Sequence, residues 1–128
     1  MTKDILTIQQ RLIDFLKSHQ PKLKINAEND KKFEVAGTIP TMQGKQKVDG
    51  HYFASVIPKP KDVRLYFFPV YTHVQHFEGT LSEELQKFLK GKSCFHVKYL
   101  TPELETEIQA MIDKGIACYQ EDGLVEKE

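Results

Sequence analysis

The sequence predicts a single α+β domain, in which a mainly antiparallel sheet of four to six strands carries an N-terminal helix, a short helix and a C-terminal helix. Apolar residues recur at helical spacing near both ends of the chain, whereas those in the middle alternate with a period of two. The connections between the predicted strands are short and contain Pro or Gly, as antiparallel neighbours require. The 128 residues form one predicted domain, 1–128, because a chain of this length supplies one hydrophobic core.

An amphipathic helix is predicted over residues 4–18, followed by a loop. Its apolar face consists of Ile5, Ile8, Leu12, Phe15 and Leu16. Pro21 ends the helix or follows closely after its end, since proline cannot continue the hydrogen-bond ladder. Residues 18–32 are polar and show no strong period, so we expect a connecting loop there.

Alternation with a period of two predicts the first strands. One strand begins at Phe33 and is limited by Pro40, and a polar turn spans residues 41–50. Residues 51–57 and 63–68 are rich in aromatic and β-branched types. They predict a hairpin whose loop is the proline- and lysine-containing segment between them.

The predicted hairpin has apolar side chains on both faces of its strands. Phe53 and Ile57 share one parity, whereas Tyr52, Ala54 and Val56 have the other. An antiparallel sheet usually keeps one face in water. We therefore expect the second face to be covered by a helix, a partner subunit or a ligand.

A short helix and a further strand are predicted next. Thr80 and Glu83 have the spacing of a capping box, which predicts a helix that begins at Thr80 and stops at Gly91. Residues 94–99 alternate between apolar and polar types, with Phe95 beginning the apolar set. This pattern predicts a strand with one buried face.

A long amphipathic helix is predicted to follow this strand. Thr101 supplies an N-cap, and Pro102 suits the first helical position. The apolar stripe consists of Leu104, Ile108, Met111, Ile112 and Ile116. The helix is predicted to run to about residue 119, and the charged residues 119–128 are predicted to form a frayed tail.

The composition argues against several classes of protein. Hydrophobic residues make up 40% and charged residues 28%, and no apolar run has the ~20 residues of a membrane span, so we expect neither disorder nor a membrane protein. The start Met1 to Asp4 lacks the basic region of a signal peptide, and Cys94 and Cys118 form no CxxC pair, which together predict a cytoplasmic location. Lys plus Arg and Asp plus Glu both number 18, and this balance argues against nucleic acid as a partner.

Several segments of the chain resemble the YdhG-like domain of unknown function. They are Tyr52-Phe53-Ala54-Ser55-Val56, Arg64-Leu65-Tyr66-Phe67-Phe68-Pro69, Lys90-Gly91-Lys92 and Phe95-His96-Val97, between a leading helix and a closing helix that ends near Lys114-Gly115. The resemblance extends from about Ile5 to Tyr119 and implies an α+β fold of that type. Some members of the family are described as frataxin-like intracellular iron chaperones. The resemblance therefore implies a carrier that supplies iron to iron–sulfur or haem assembly proteins.

Two groups of residues have the chemistry of a metal site, for which weakly bound iron is the implied cofactor. His73, His76 and Glu78 offer imidazole and carboxylate ligands after a strand. Glu103 and Glu107 lie four residues apart on the last predicted helix, where exposed carboxylates suit a carrier that releases its cargo. Each group has an alternative interpretation. Loop histidines can form local hydrogen bonds, and acids in a first helical turn complement the helix dipole.

Five residues form a candidate surface for a ligand or a protein partner. They are Tyr52, Arg64, Tyr66, Phe68 and Tyr71. Tyrosine and arginine are favoured where a protein binds other molecules. The alternative interpretation is core packing beneath a helix.

Cys94 and His96 are predicted to project from the same face of a strand, as a nucleophile and its base would. The sequence offers no third group to orient them and none of the common catalytic motifs, so we do not predict an enzyme. Two functions remain. One is an iron chaperone, and the other is a metal-free module that binds a small ligand or a protein through an aromatic sheet face, as a monomer or homodimer.

Overall fold

The computed structural model describes residues 1–127 and confirms the predicted α+β class. Its helices are α1 (Ile5–Lys17), α2 (Pro69–Thr72), α3 (Glu83–Phe88) and α4 (Pro102–Glu121), with a 3₁₀ turn at Val74–His76. Its strands are β1 (Leu23–Asn29), β2 (Lys32–Gly37), β3 (Thr41–Gln43), β4 (Gln46–Val48), β5 (Tyr52–Pro58), β6 (Val63–Phe67), β7 (Leu89–Lys90) and β8 (Cys94–Val97).

Six strands form one antiparallel sheet in the order β1-β2-β5-β6-β8-β7. All neighbouring pairs in it are antiparallel, as predicted. The connection from β2 to β5 contains the separate two-stranded hairpin β3–β4. The two long helices, α1 and α4, cover one face of the six-stranded sheet.

Both long helices pack on the same face of the sheet. α1 begins at Asp4, whose carboxylate accepts a 3.0 Å hydrogen bond from the Thr7 backbone N–H, and it contacts β5, β6 and α4. On α4, Gly115 approaches Phe67 of β6 so closely that an added Cβ would lie 2.6 Å from the Phe67 ring. The large side chains buried between these layers include Phe33, Phe53, Phe67, Phe95, Ile8, Leu12, Leu16 and Leu65.

The segment predicted to be a loop over residues 18–32 contains the edge strand β1. In β1, Leu23 is buried and Ile25 is half-buried, whereas the later residues are mostly exposed. Because an edge strand buries little of its surface, its apolar period was too weak to indicate a strand. The polar turn at 41–50 likewise contains β3 and β4, which turn at Gly44.

The short helix begins at Ser82 and not, as the sequence predicts, at Thr80. The Ser82 hydroxyl accepts a 3.1 Å hydrogen bond from the Leu85 backbone N–H, whereas the Thr80 hydroxyl donates to the Phe77 carbonyl. The helix also ends earlier, at Phe88, because the next two residues pair with β8 as strand β7.

The last helix begins as predicted and extends further. The Thr101 hydroxyl accepts a 3.1 Å hydrogen bond from the Leu104 backbone N–H, and the helix runs to Glu121. Tyr119 and Val125 are 0% and 1% exposed, so the predicted fraying from residue 119 is wrong as far as Val125. Within residues 1–127, none of the helices combines the length and the apolar character that crossing a bilayer would take.

The two faces of the sheet differ in chemistry, which corrects the prediction that both are largely apolar. Facing α1 and α4 are register rows such as Phe33–Val56–Leu65–Phe95, all 0% exposed. The rows that alternate with these point away from the helices and contain mainly polar side chains. The second face is therefore amphipathic and open, and neither long helix covers it.

Candidate functional site

The sheet face turned away from α1 and α4, called the open face below, is the candidate functional site. It consists of two rows of cross-strand neighbours. The first row is Glu34, Ser55, Tyr66, Cys94 and Lys90, and the second is Ile57, Arg64 and His96. Neighbours in such rows have Cβ atoms about 4.5–5.5 Å apart, so their side chains can contact one ligand together.

A β-bulge brings Tyr52 onto the open face. Tyr52 and Ala54 pair with consecutive residues of β2, so Phe53 between them is unpaired. This extra residue reverses the alternation, so Phe53 is buried while Tyr52 shares the face of Ser55. The Tyr52 hydroxyl lies 2.6 Å from Ser55 Oγ. Burial raises the pKa of Tyr52 to about 12, so its hydroxyl stays protonated and is available as a hydrogen-bond donor.

A cluster of charged groups surrounds the second row. Asp62 is buried, accepts a 2.9 Å hydrogen bond from Arg64 Nε and lies 3.8 Å from His96 Nδ1. Burial lowers the pKa of His96, the cations Arg64, Lys90 and Lys98 lower it further, and Asp62 acts in the opposite direction. The imidazole is therefore neutral at neutral pH, and a nearby anion would favour its protonation.

Cys94 and His96 lie on one face, as predicted, but they do not form an activated pair. Cys94 is opposite Tyr66, and His96 is opposite Arg64. Within residues 1–127, no hydrogen bond joins the thiol to the imidazole. Burial raises the pKa of the Cys94 thiol, although the Tyr66 hydroxyl and Arg64 oppose this shift, so the thiol stays protonated at neutral pH.

Aromatic rings extend the open face beyond the end of β6. The ring centroid of Phe68 lies 5.4 Å from that of Tyr52 and 5.8 Å from that of Tyr71. Tyr66 lies on the same face, directly opposite Ser55, whose hydroxyl is hydrogen-bonded to that of Tyr52. We call Tyr52, Tyr66, Phe68 and Tyr71 the aromatic strip. The structure thus places Tyr52, Arg64 and Tyr66 on the open face, and Phe68 and Tyr71 continue from Tyr52 through ring contacts beyond the end of β6.

A polar cleft of about 440 Å³ lies between the β3–β4 hairpin and the β1–β2 end of the open face. The hairpin is attached to β5 by a 3.1 Å hydrogen bond from the Tyr52 backbone N–H to Gln43 Oε1. Lys24 and Glu34 line the sheet side, and Lys47 lines the hairpin side. The cleft therefore adds further charged groups to the same surface.

The predicted histidine ligands differ in burial and in their contacts. His73 is buried, and its imidazole contacts Thr72 Oγ1 at 2.7 Å and Asp122 Oδ2 at 2.5 Å. His76 and Glu78 are exposed, and the ring centroids of the two histidines are 6.3 Å apart. His73 therefore has the local hydrogen bonds of the alternative interpretation.

The two carboxylates of the predicted pair also differ in their contacts. Glu107 accepts hydrogen bonds of 2.6 Å from both the backbone N–H and the hydroxyl of Ser82, whereas Glu103 is exposed at the start of α4. Within residues 1–127, His, Cys, Asp and Glu side chains form no group of three or more arranged to hold a metal ion.

Sequence reasoning missed several members of the open face. Asp62 lies in the predicted hairpin loop, Lys90 in the predicted short helix, and Lys24 in the predicted connecting loop. Ser55 was hidden by the bulge, because simple alternation placed Tyr52 on the other face. The one usable signal was β8, where Cys94 and His96 alternate with buried residues and so indicate a polar face.

Comparison of the chain with protein-family models, with curated proteins and with solved structures finds no match. The resemblance to the YdhG-like domain therefore stays a prediction. The function is inferred from the chemistry of the open face.

Proposed function

We propose that this protein is a metal-free binding module that holds an anionic partner on the open face. The observation that carries the proposal is a sheet face that neither long helix covers and on which, within residues 1–127, cations exceed carboxylates. Lys24, Lys32, Arg64 and Lys90 project from its strands. The carboxylates there are already paired: Glu34 lies 2.8 Å from Lys32 Nζ, and Asp62 lies 2.9 Å from Arg64 Nε.

The remaining cations are available to a partner. Among residues 1–127, Lys24, Lys90 and Lys98 have no carboxylate within ion-pair distance. A partner carboxylate, sulfate or phosphate would supply the missing counter-charge. Half-buried aromatic rings beside these cations add contact area without the entropy loss of long flexible side chains.

Iron carriage has less support from the contacts of the predicted ligands. His73 and Glu107 are engaged by Asp122 and Ser82. Of the other predicted ligands, His76 and Glu78 are exposed in the turn after α2, and Glu103 is exposed on α4. The iron chaperone thus stays a prediction of the resemblance.

The proposal is tested by heteronuclear NMR at low ionic strength with polyglutamate, a heparin oligosaccharide and a single-stranded oligonucleotide. We expect at least one of these polyanions to shift amide signals of β5, β6 and β8. Lys90→Glu weakens this binding, and Lys114→Glu, an equal change of charge on α4, leaves it intact. Absence of shifts on the open face with all three polyanions would overturn the proposal, as would equal effects of the two substitutions.

A further inference from the structure

We infer that the anionic partner of the open face is a single-stranded nucleic acid. This inference rests on the proposed function and narrows it to one class of polyanion. A nucleic acid strand combines planar, apolar bases with a phosphate on every nucleotide. The open face offers the complementary pair of groups, aromatic rings and unpaired cations, side by side.

The aromatic strip can receive unstacked bases. Phe68 contacts both Tyr52 and Tyr71, at ring centroid distances of 5.4 and 5.8 Å, so the three rings are consecutive neighbours. Tyr71 is 46% exposed, although it is a large aromatic side chain; it lies in the short helix α2 that follows β6. Such rings accept bases of any sequence, because every base has a π-face.

Lysine side chains lie near these rings, where they could contact the phosphates of a bound strand. Lys92 Nζ lies 5.1 Å from the Tyr71 ring centroid at one end. Lys90 and Lys98 lie close to His96 on the β8 side, and Lys24 lines the cleft on the β1 side. An acidic protein surface would use the cations, whereas a nucleic acid strand would use the cations and the rings together, because every nucleotide brings both a phosphate and a planar base.

The shape of the face favours a single strand over a duplex. Reading a duplex requires a helix or a two-stranded ribbon that enters a groove. The open face is a sheet surface, and the groups on it that match a base in size are aromatic rings. A duplex would keep its bases stacked on one another and leave these rings without partners.

Charge balance over the whole chain does not oppose this inference. Acidic and basic residues are equal in total, which on composition alone disfavours a nucleic acid partner. In the structure the acids Glu103, Glu105 and Asp113 belong to α4, which lies on the other side of the sheet. A strand that approaches the open face therefore meets mainly cations.

The test measures binding of a labelled single strand of about ten nucleotides, within the ~4–16 nucleotides that comparable single-strand sites cover, by fluorescence anisotropy. We expect Tyr71→Ala to weaken binding roughly 5- to 100-fold and Tyr71→Phe to retain it, because stacking requires the ring and not the hydroxyl. Lys90→Glu should reduce the slope of log K against log salt by about 1, and Lys114→Glu should not.

The outcomes separate this inference from the proposed function. If polyglutamate or heparin shifts the open face and the single strand does not bind, the nucleic acid inference fails and the binding module stands. The same holds if Tyr71→Ala binds the strand as tightly as the unmodified protein. If the strand binds less tightly than a duplex of equal length, the argument from the rings is wrong.

Discussion

His96 connects the charge of the open face to pH. Burial and the cations Arg64, Lys90 and Lys98 hold its pKa below the ordinary value of 6.5, against the effect of Asp62. A bound polyanion would offset the cations and raise this pKa. Binding is then coupled to proton uptake by His96. The affinity should therefore increase as the pH falls from 7 towards the lowered pKa.

We therefore predict that affinity for the single strand increases several-fold between about pH 7.5 and pH 5.5, and that His96→Gln removes most of this increase. The measurement is anisotropy across that range, together with the NMR titration of the His96 ring with and without the strand. His76→Gln serves as the control, because His76 is exposed in the turn after α2. An unchanged pH dependence in His96→Gln would contradict the assignment.

Gly50 determines how closely the β3–β4 hairpin approaches β2. A Cβ at this position would lie 1.7 Å from the carbonyl oxygen of Gly37, which is backbone and cannot rotate away. Gly44, at the hairpin turn, has a φ of 63° but no atom within 4 Å of an added Cβ. The two glycines thus separate a packing requirement from a conformational one.

We predict that Gly50→Ala lowers the free energy of unfolding by roughly 2–4 kcal/mol, because the backbone at Gly50 and the end of β2 at Gly37 must move apart. Gly44→Ala should cost only about 1–2 kcal/mol, the strain of a left-handed residue. Urea unfolding followed by circular dichroism measures both. Equal losses would mean that the contact between Gly50 and Gly37 does not constrain the hairpin.

At the scale of elements, the N-terminus of α3 shows why local pattern misled. A capping box uses a Glu three residues after the cap, and Thr80 with Glu83 has that spacing. In the structure Glu107 of α4 occupies this role instead, since it accepts hydrogen bonds from the backbone and the hydroxyl of Ser82. The helix therefore begins where a carboxylate from a distant part of the sequence arrives.

We predict that Ser82→Ala lowers the free energy of unfolding by about 1–2 kcal/mol. Thr80→Ala should cost less, since its hydroxyl caps no helix. A double-mutant cycle between Ser82→Ala and Glu107→Ala should give a coupling of about 0.5–1.5 kcal/mol, because the two residues share their hydrogen bonds. Additive effects would show that Ser82 and Glu107 do not stabilise the helix start together. A larger loss in Thr80→Ala would show that Thr80, as the sequence predicts, is the N-cap.

Long elements with a strong period were predictable, and short or irregular ones were not. α1 and α4 bury stripes that repeat over several turns, so the sequence alone indicates both. The edge strand β1 buries only Leu23 fully, and the bulge at Phe53 reverses the parity of β5 without a sequence signal. The same bulge places Tyr52 beside Ser55, so the local chemistry of the open face depends on a feature that periodicity does not encode.

Over the whole molecule, the outer side of α4 is mainly acidic and the outer side of the sheet is mainly basic, although the formal net charge is zero at pH 7. The helices and the sheet share one core, so each layer exposes only its outer side. α4 exposes Glu103, Asp113 and Glu121, whereas the outer side of the sheet exposes Lys90 and neighbouring lysines. Total composition averages these two surfaces, which is why the sequence argued against a polyanionic partner.

This segregation has a consequence that two variants of equal net charge can measure. At an ionic strength of roughly 0.05 M the screening length lies between about 10 and 30 Å, so an exchange matrix responds mainly to the face that it touches. We predict retention on both cation- and anion-exchange media at pH 7, with earlier elution of Lys90→Glu from the cation exchanger than of Lys114→Glu. Identical elution of the two variants would show that net charge alone governs binding and that the open face is not a distinct cationic surface.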